Sequence, residues 1–139
     1  MMLIATAVRP SGIHGLGLFT VRPVPRGTPI WRFAPGFDHD FLPAQFAALP
    51  PLAREHVRWF CFVRRDDGHV ILSGDHACFI NHAAAPNTGA LPAAVPPVVT
   101  VALRGLAAGE EITCDYLAYD ADAPWKLGRV PPDAPLGAQ

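Results

Sequence analysis

Short apolar runs separated by prolines and glycines dominate the pattern of this chain. The sequence has 139 residues, of which 16 are proline and 12 are glycine. Apolar runs of this length, bounded by Pro, Gly or polar turn residues, predict strands. The predicted strands cover residues 3–8, 17–21, 29–33, 69–73, 98–103 and 111–115. The pattern therefore predicts a mainly β fold built from several small sheets.

One segment, residues 43–63, has a helical pattern instead. Its apolar or aromatic residues recur at helical spacing with charged residues between them: Leu52, His56, Trp59 and Phe60. We predict one or two short helices there, separated at Pro50-Pro51 because proline interrupts a helix. Residues 83–97 and the proline-rich residues after Gly128 are predicted to be loops or mobile ends.

Composition narrows the classes of function. A mass of 14.9 kDa suits a single domain, and 50% hydrophobic residues against 17% charged are enough for a packed core. The net charge of -1 argues against a general nucleic-acid binder, which should be basic. Because neither an apolar run of about 18 residues nor a signal-peptide pattern occurs, we expect a cytoplasmic protein with no membrane partner.

Cysteine and histidine spacing gives little support for a metal site. The three cysteines, Cys61, Cys78 and Cys114, form no CxxC pair, which argues against a zinc cluster or a disulfide framework. The acidic and histidine residues at 38–40 and 75–76 are of the kind that usually lies solvated in loops. We therefore expect no metal, and no sequence context singles out a nucleophilic thiol.

Three segments could carry chemistry, although each has an ordinary structural interpretation. Residues 12–17 (GIHGLG) offer backbone without bulk, suited to a ligand or to a plain turn. Residues 79–87 (FINHAAAPN) place amide and imidazole groups beside an apolar run, as loops with Asx turns also do. Residues 108–116 (AGEEITCDY) end a strand on a tyrosine, which is either a site donor or a half-buried aromatic.

Together, in this order, the three segments resemble the SET domain family, whose characterised members methylate protein lysines with S-adenosylmethionine. The residues 11–20 (SGIHGLGLFT) and 24–30 (VPRGTPI) resemble the family's opening "GxGxF" loop and following turn. The residues 75–87 resemble "aRFiNHSCxPN", and residues 109–116 resemble "GEElTxDY". The likeness is strongest to small free-standing bacterial SET proteins, in which residues 31–38 and 125–128 also have counterparts.

The resemblance implies S-adenosylmethionine as cofactor and assigns roles to particular residues. Backbone of the glycine loop would hold the methionine part, Asn81 would bind the amino group, and the His82 main chain would bind the adenine. The implied cofactor-binding residues are His14, Gly15, Leu16, Gly17, Asn81, His82 and Trp125, the last as an aromatic cover for the adenine, with Tyr119 as an alternative cover. Tyr116 is the implied catalytic residue, and Cys114 and Tyr119 are assigned to the substrate channel.

The chemistry explains why a channel with a tyrosine is expected. Methyl transfer to an amine requires two aligned groups and no metal or covalent nucleophile. The lysine must arrive neutral, and an apolar channel lowers its pKa by desolvation. We expect the Tyr116 hydroxyl to orient the amine. Cys114 stands where many family members have Phe or Tyr, so we hypothesise room for di- or trimethylation.

The resemblance also implies an architecture. It implies a SET domain over residues 1–120, with the C-terminal motif forming a pseudoknot beside Asn81 and His82, and a tail over residues 121–139 that helps to close the cofactor site. Cys78 replaces the family's arginine, and residues 83–84 (AA) replace Ser-Cys, which removes polar support for the pseudoknot.

Two classes of function remain open from the sequence. The first is a protein-lysine methyltransferase acting on a protein or peptide, histone-like or other, with no direct nucleic-acid partner. The second is a SET-like binding module that binds cofactor or peptide without turnover. A small-molecule or nucleic-acid methyltransferase of the βαβ type is disfavoured, because that pattern is missing. A homodimer and a secreted effector are left open.

Overall fold

The computed structural model describes residues 1–90 and 99–138. It contains short strands and four short helices, with a 3₁₀ turn at His76–Phe79. The strands are β1 (Thr6–Pro10), β2 (Leu16–Thr20), β3 (Pro29–Arg32), β4 (His39–Phe41), β5 (Cys61–Val63), β6 (Val70–Leu72), β7 (Asn81–His82), β8 (Thr88–Ala90), β9 (Val99–Ala102) and β10 (Thr113–Cys114). The helices are α1 (Pro43–Ala47), α2 (Pro51–Phe60), α3 (Tyr116–Tyr119) and α4 (Ala123–Lys126). The predicted mainly β class is confirmed.

Four small sheets make up the strand architecture of the described residues. β1 and β2 form an antiparallel hairpin, β3, β9 and β8 form one three-stranded sheet, and β4, β6 and β5 form another. β10 pairs with β7 in parallel, with Thr113 opposite Asn81 and Cys114 opposite His82. This pairing brings two of the sequence motifs together although they lie far apart in the chain.

Two apolar clusters hold these sheets in place. The first contains Leu18, Val24, Ile30, Ala102, Leu106 and Ile112, all buried. The second contains Phe46, Val57, Cys61, Val63 and Val70, where the helical segment packs on the β4–β6–β5 sheet. Burial of the Val, Leu, Ile and Phe side chains in these clusters stabilises the fold by about 1.5–3 kcal/mol each.

The prediction of one or two short helices in residues 43–63 is confirmed by α1 and α2, but the predicted apolar face of α2 is partly wrong. Pro51 opens α2, where its missing N–H costs no hydrogen bond. The buried residue of α2 is Val57, whereas Leu52 is 82% exposed and Trp59 is 51% exposed. The spacing was helical, but Leu52 stands in the first turn and points away from the second core.

The strand predictions differ from the structure mainly at their ends. β1 begins and ends later than predicted, and β10 is only two residues long within the predicted 111–115. Residues 83–97 are not all loop, because β8 pairs with β9 there. Residues 91–98, which include the predicted start of one strand, lie outside the described residues.

The residues from 129 to 138 form a loop without helix or strand, as predicted, and this loop packs against α2 and α4. The guanidinium of Arg58 in α2 donates two hydrogen bonds to Asp122 and others to the carbonyls of Ala134 and Pro135. The Trp125 Nε1–H donates to the carbonyl of Pro132 at 2.9 Å. Within residues 1–90 and 99–138, no helix is long and apolar enough to cross a membrane.

Candidate active site

The pairing of β7 with β10 sets up the centre of the site. It fixes Asn81 and His82 on one strand beside the strand that leads into Tyr116. The backbone N–H of Ala83 donates to the carbonyl of Cys114 at 3.0 Å and extends this contact. The second and third motifs therefore form one unit. The resemblance implied this arrangement, because it placed the C-terminal motif beside Asn81 and His82.

Asn81 connects this unit to the glycine loop. Its Nδ2 lies 3.2 Å from the carbonyl oxygen of His14 and 3.0 Å from that of Leu16. The loop itself is the turn of the β1–β2 hairpin, with Gly15 at a positive φ of 46° that favours glycine. Of the predicted loop residues, His14 and Leu16 thus contact Asn81 directly, whereas Gly15 makes the turn between them.

Glu111 joins all three motifs, and sequence reasoning gave it no role. Its carboxylate accepts from Ser11 Oγ at 2.8 Å and from Asn81 Nδ2 at 2.9 Å. A Cβ on Gly17 would collide with this carboxylate, so Gly17 is required for a close approach rather than for a turn. The signal in the sequence was the second glutamate of the Gly109-Glu110-Glu111 segment.

Asn87 is a second structural residue without a predicted role. It is 3% exposed, and its Nδ2 donates to the carbonyl of Glu111 at 2.7 Å. Its Oδ1 accepts from the Thr113 N–H at 2.8 Å. A buried amide that satisfies strand backbone in this way fixes β10 against the loop that precedes β8.

Tyr116 lies at the start of α3, which follows β10 after the single residue Asp115. Its hydroxyl donates to the carbonyl of Ile80 at 2.6 Å, and its backbone N–H donates to His82 Nδ1 at 3.2 Å. Burial raises the pKa of the Tyr116 phenol, so the hydroxyl stays protonated and remains a donor. The imidazole of His82 packs against the Tyr116 ring, with the ring centroids 5.5 Å apart.

Tyr116 also lines a small cavity of about 50 Å³, which we call the acceptor cavity. The cavity lies between α2, the 3₁₀ turn and the segment from α3 to α4. Its aromatic walls are Trp59, Phe60, Phe62, Tyr116 and Tyr119, and its other lining residues include Cys78, Asp120 and Lys126. The cavity is partly open and combines aromatic rings with charged and polar groups, an arrangement that can orient a small group.

Tyr119 belongs to the acceptor cavity, but Cys114 does not line it. Cys114 is buried behind Tyr119, and its Sγ lies 3.1 Å from the Tyr119 hydroxyl. Burial raises the pKa of both groups, to about 12 for the Cys114 thiol. The small cysteine therefore leaves space that the Tyr119 phenol takes up, and the degree of methylation stays a prediction.

Trp125 lies against α2. Its ring centroid is 4.5 Å from that of Trp59, and the Arg58 guanidinium stacks over the indole at 4.1 Å. These contacts join the tail to the helix that forms one wall of the acceptor cavity. The predicted role of Trp125 as a cover for adenine stays a prediction, as does the domain limit at residue 120.

The acidic residues considered as metal seeds organise backbone instead. Asp38 accepts from the N–H groups of Ala34 and Gly74, and Asp75 accepts from those of Met2 and Ala77. The part of the chain that the structure describes holds no cluster of three or more His, Cys, Asp or Glu suited to a metal ion.

The residues around Asn81 fit the amino-acid end of S-adenosylmethionine. Two backbone carbonyls and the Glu111 carboxylate surround the Asn81 amide, and these are acceptors that suit an ammonium group. All three contacts engage Nδ2, and among the described residues no donor reaches Asn81 Oδ1, which can therefore accept from a ligand. The implied cofactor thus has a chemically suitable place beside the glycine loop.

Comparisons with known proteins agree with this architecture. The SET domain family model matches residues 15–117, most of the chain, so the chain belongs to the SET domain family. Proteins of this family are typically protein-lysine methyltransferases. A crystal structure from Plasmodium falciparum, described as a "putative histone methyltransferase", is similar in fold, with a TM-score of 0.58 and 14% sequence identity. The match covers 83% of this chain and 95% of that one.

Proposed function

We propose that this protein is an S-adenosylmethionine-dependent methyltransferase that modifies lysine side chains of proteins. One observation carries the proposal: Ile80 and Asn81 are neighbours in the chain, and each contacts a different half of the site. The Ile80 carbonyl holds the Tyr116 hydroxyl at the acceptor cavity, whereas the Asn81 amide holds the glycine loop. The two halves that a methyl transfer must bring together are therefore one residue apart.

The chain's residues would divide the work of binding. When bound, S-adenosylmethionine supplies an activated methyl group. His14, Gly15, Leu16 and Gly17 would offer backbone groups to its amino-acid end, and Asn81 Oδ1 would accept from its ammonium. The His82 main chain and Trp125 are proposed to bind and cover the adenine.

The acceptor cavity would position the lysine. Its aromatic side chains would flank the lysine stem, and the ammonium would release its proton to solvent before the neutral amine attacks the methyl group. Tyr116 is fixed by its hydrogen bond to Ile80 and stays protonated, so it would orient the amine without acting as a base. Tyr119, with Cys114 behind it, would limit the space beside the amine.

A calorimetric titration with S-adenosylmethionine tests the cofactor half of the proposal. We expect saturable binding by the natural protein, and binding at least about tenfold weaker in Asn81→Ala. Tyr116→Phe is the matched control, because it lies in the same unit and should still bind the cofactor. No binding by a natural protein that circular dichroism shows to be folded would refute the proposal.

A binding module without turnover is the second candidate, and the narrowness of the acceptor cavity favours it. Transfer of radiolabelled methyl groups to a panel of lysine-containing proteins separates the two candidates. Cofactor binding without any transfer would support the binding module. We propose a protein or peptide partner and a cytoplasmic location for either candidate.

A further inference from the structure

Lys126 is the single lysine of this chain, and its side chain lies in the acceptor cavity. It belongs to α4, and its stem forms part of the wall shared with Tyr116 and Tyr119. The Lys126 side chain is only 7% exposed, although lysine is rarely buried unless it is paired. The protein thus places its own lysine where the proposed function requires a substrate lysine.

The ammonium of Lys126 is held by two oxygens. Nζ donates to Asp120 Oδ2 at 2.5 Å and to the backbone carbonyl of Cys61. Asp120 is itself buried, and its other carboxylate oxygen accepts from the N–H groups of Val63 and Asp122. These two contacts, together with the burial of Asp120, fix the position of the Lys126 side chain in the wall of the cavity.

The size of the acceptor cavity indicates that Lys126 leaves no room for a second lysine side chain. An apolar cavity of about 150 Å³ holds a benzene ring, which has six heavy atoms. A lysine side chain has five heavy atoms beyond Cα, whereas the space left in the acceptor cavity is about 50 Å³. A second lysine therefore fits only if a group that now lines the cavity moves out.

We propose that Lys126 is an internal occupant of the acceptor cavity and that a substrate lysine binds by displacing it. This inference rests on the proposed function, which identifies the group that displaces Lys126 as a substrate lysine. Lys126 is the group on the wall that resembles a substrate lysine, and the Cys61 carbonyl that now accepts from its Nζ can accept from the incoming amino group in its place. Because its Nζ is held by Asp120 and the Cys61 carbonyl, Lys126 occupies the cavity without being methylated.

Nuclear magnetic resonance tests the displacement directly and without turnover. Protein labelled with ¹³C,¹⁵N-lysine gives one lysine side-chain spin system, because Lys126 is the single lysine. Titration with n-butylammonium chloride, a mimic of the lysine side chain, should move the Cε and Nζ signals from buried to solvent-exposed values. Sodium chloride at equal concentration is the control, and it should leave the signals unchanged. Lysine signals that do not respond to n-butylammonium would overturn the proposal.

A pair of variants tests how Lys126 affects the KM for a lysine substrate. Asp120→Asn with Lys126→Met removes both charges without leaving either buried alone, and Asn keeps the Oδ1 acceptor. With poly-L-lysine as the methyl acceptor, this double variant should have a KM about tenfold lower, as expected if the cavity is blocked nine-tenths of the time. Lys126→Arg keeps a cation in the cavity and should show no such decrease.

The outcomes separate failure of this inference from failure of the proposed function. An unchanged or higher KM in a double variant that still binds S-adenosylmethionine would overturn the inference alone. Methylation of Lys126 itself, seen by intact-mass spectrometry in the natural protein and absent from Lys126→Arg, would also overturn it. If neither the natural protein nor the variants bind the cofactor or transfer methyl groups, the proposed function fails. The n-butylammonium titration then still decides whether Lys126 can be displaced.

Discussion

At the scale of single residues, the site depends on side chains whose polar atoms have one specific partner. The Tyr116 hydroxyl is tied to the Ile80 carbonyl, which fixes the direction of the phenol in the acceptor cavity. Its raised pKa follows from burial, so it is a neutral donor at any physiological pH. Such a group can position an amine, and its loss should affect the reaction far more than the fold.

We predict that Tyr116→Phe lowers kcat for methyl transfer by about hundredfold, the usual effect of removing one positioned donor. Stability should fall by only about 1 kcal/mol, the net contribution of a single hydrogen bond. Initial rates with poly-L-lysine and urea denaturation measure the two effects. Turnover equal to that of the natural protein would exclude the catalytic role assigned to Tyr116.

Gly17 and Gly12 lie in one hairpin but differ in their surroundings. A Cβ on Gly17 would be 2.8 Å from Glu111 Cδ and 3.1 Å from Ser11 Cβ, whereas a Cβ on Gly12 meets nothing within 4 Å. We predict that Gly17→Ala displaces the Glu111 carboxylate and lowers the free energy of unfolding by about 1.5–3 kcal/mol, the usual contribution of a charge-assisted hydrogen bond.

Gly12→Ala is the matched control and should change the free energy of unfolding by less than about 0.5 kcal/mol. Chemical denaturation of both variants makes the comparison. Equal effects of the two substitutions would mean that Glu111 does not hold the hairpin.

At the scale of elements, α2 links the second core to the tail. Val57 faces the core, while Arg58 on the next position contacts Asp122, Trp125 and the carbonyls of residues 134 and 135. The Asp122 carboxylate is fully buried, so its pairing with Arg58 differs from an exposed ion pair of small energy. One wall of the acceptor cavity thus depends on a contact made outside the cavity.

We predict that Arg58→Met destabilises the protein by about 3–5 kcal/mol, because it leaves the buried Asp122 without its cation. Arg54 lies one turn earlier on α2 and makes one exposed hydrogen bond to the Ala47 carbonyl. Arg54→Met should therefore change stability by less than about 0.5 kcal/mol. Thermal denaturation and amide hydrogen exchange of residues 120–138 provide the measurements, and similar melting of both variants would contradict this account of the tail.

At the scale of the whole molecule, the thiols of Cys61 and Cys114 are buried in their neutral form. Desolvation raises the pKa of the Cys61 and Cys114 thiols from 9.0 to about 12. In the unfolded chain these thiols lose their protons near pH 9, whereas in the folded protein they keep them until about pH 12. The unfolded state therefore binds fewer protons in this window, so stability is full below pH 9 and decreases as the pH rises.

We predict that the free energy of unfolding falls above pH 9, by about 1.4 kcal/mol per pH unit for each thiol. Urea denaturation at a series of pH values between 7 and 10.5 measures the slope. The double variant Cys61→Ala, Cys114→Ala should be less stable at pH 7 but should lose most of this decline. A slope unchanged by the double variant would assign the decline to other groups.

Some residues of the site could be predicted from the sequence, and others could not. Asn81, His82 and Tyr116 stand in local motifs, and a local motif is visible in one sequence. Glu111 stood inside such a motif, yet its contact with Ser11 spans 100 positions, and no periodicity encodes such a distance. Trp125 stood in a segment that the resemblance covered, but the partners of Trp125 and Lys126 depend on how the tail packs.

The sequence by itself determined the small β elements, the break at Pro50-Pro51 and the three motifs, because turn residues, apolar runs and short motifs act over a few positions. The tertiary structure decided which motif residues meet, which side of α2 is buried and where the single lysine lies. These depend on contacts between distant segments, such as the parallel pairing of β7 with β10. Whether Lys126 fills the acceptor cavity is therefore a property of packing, which no local pattern specifies.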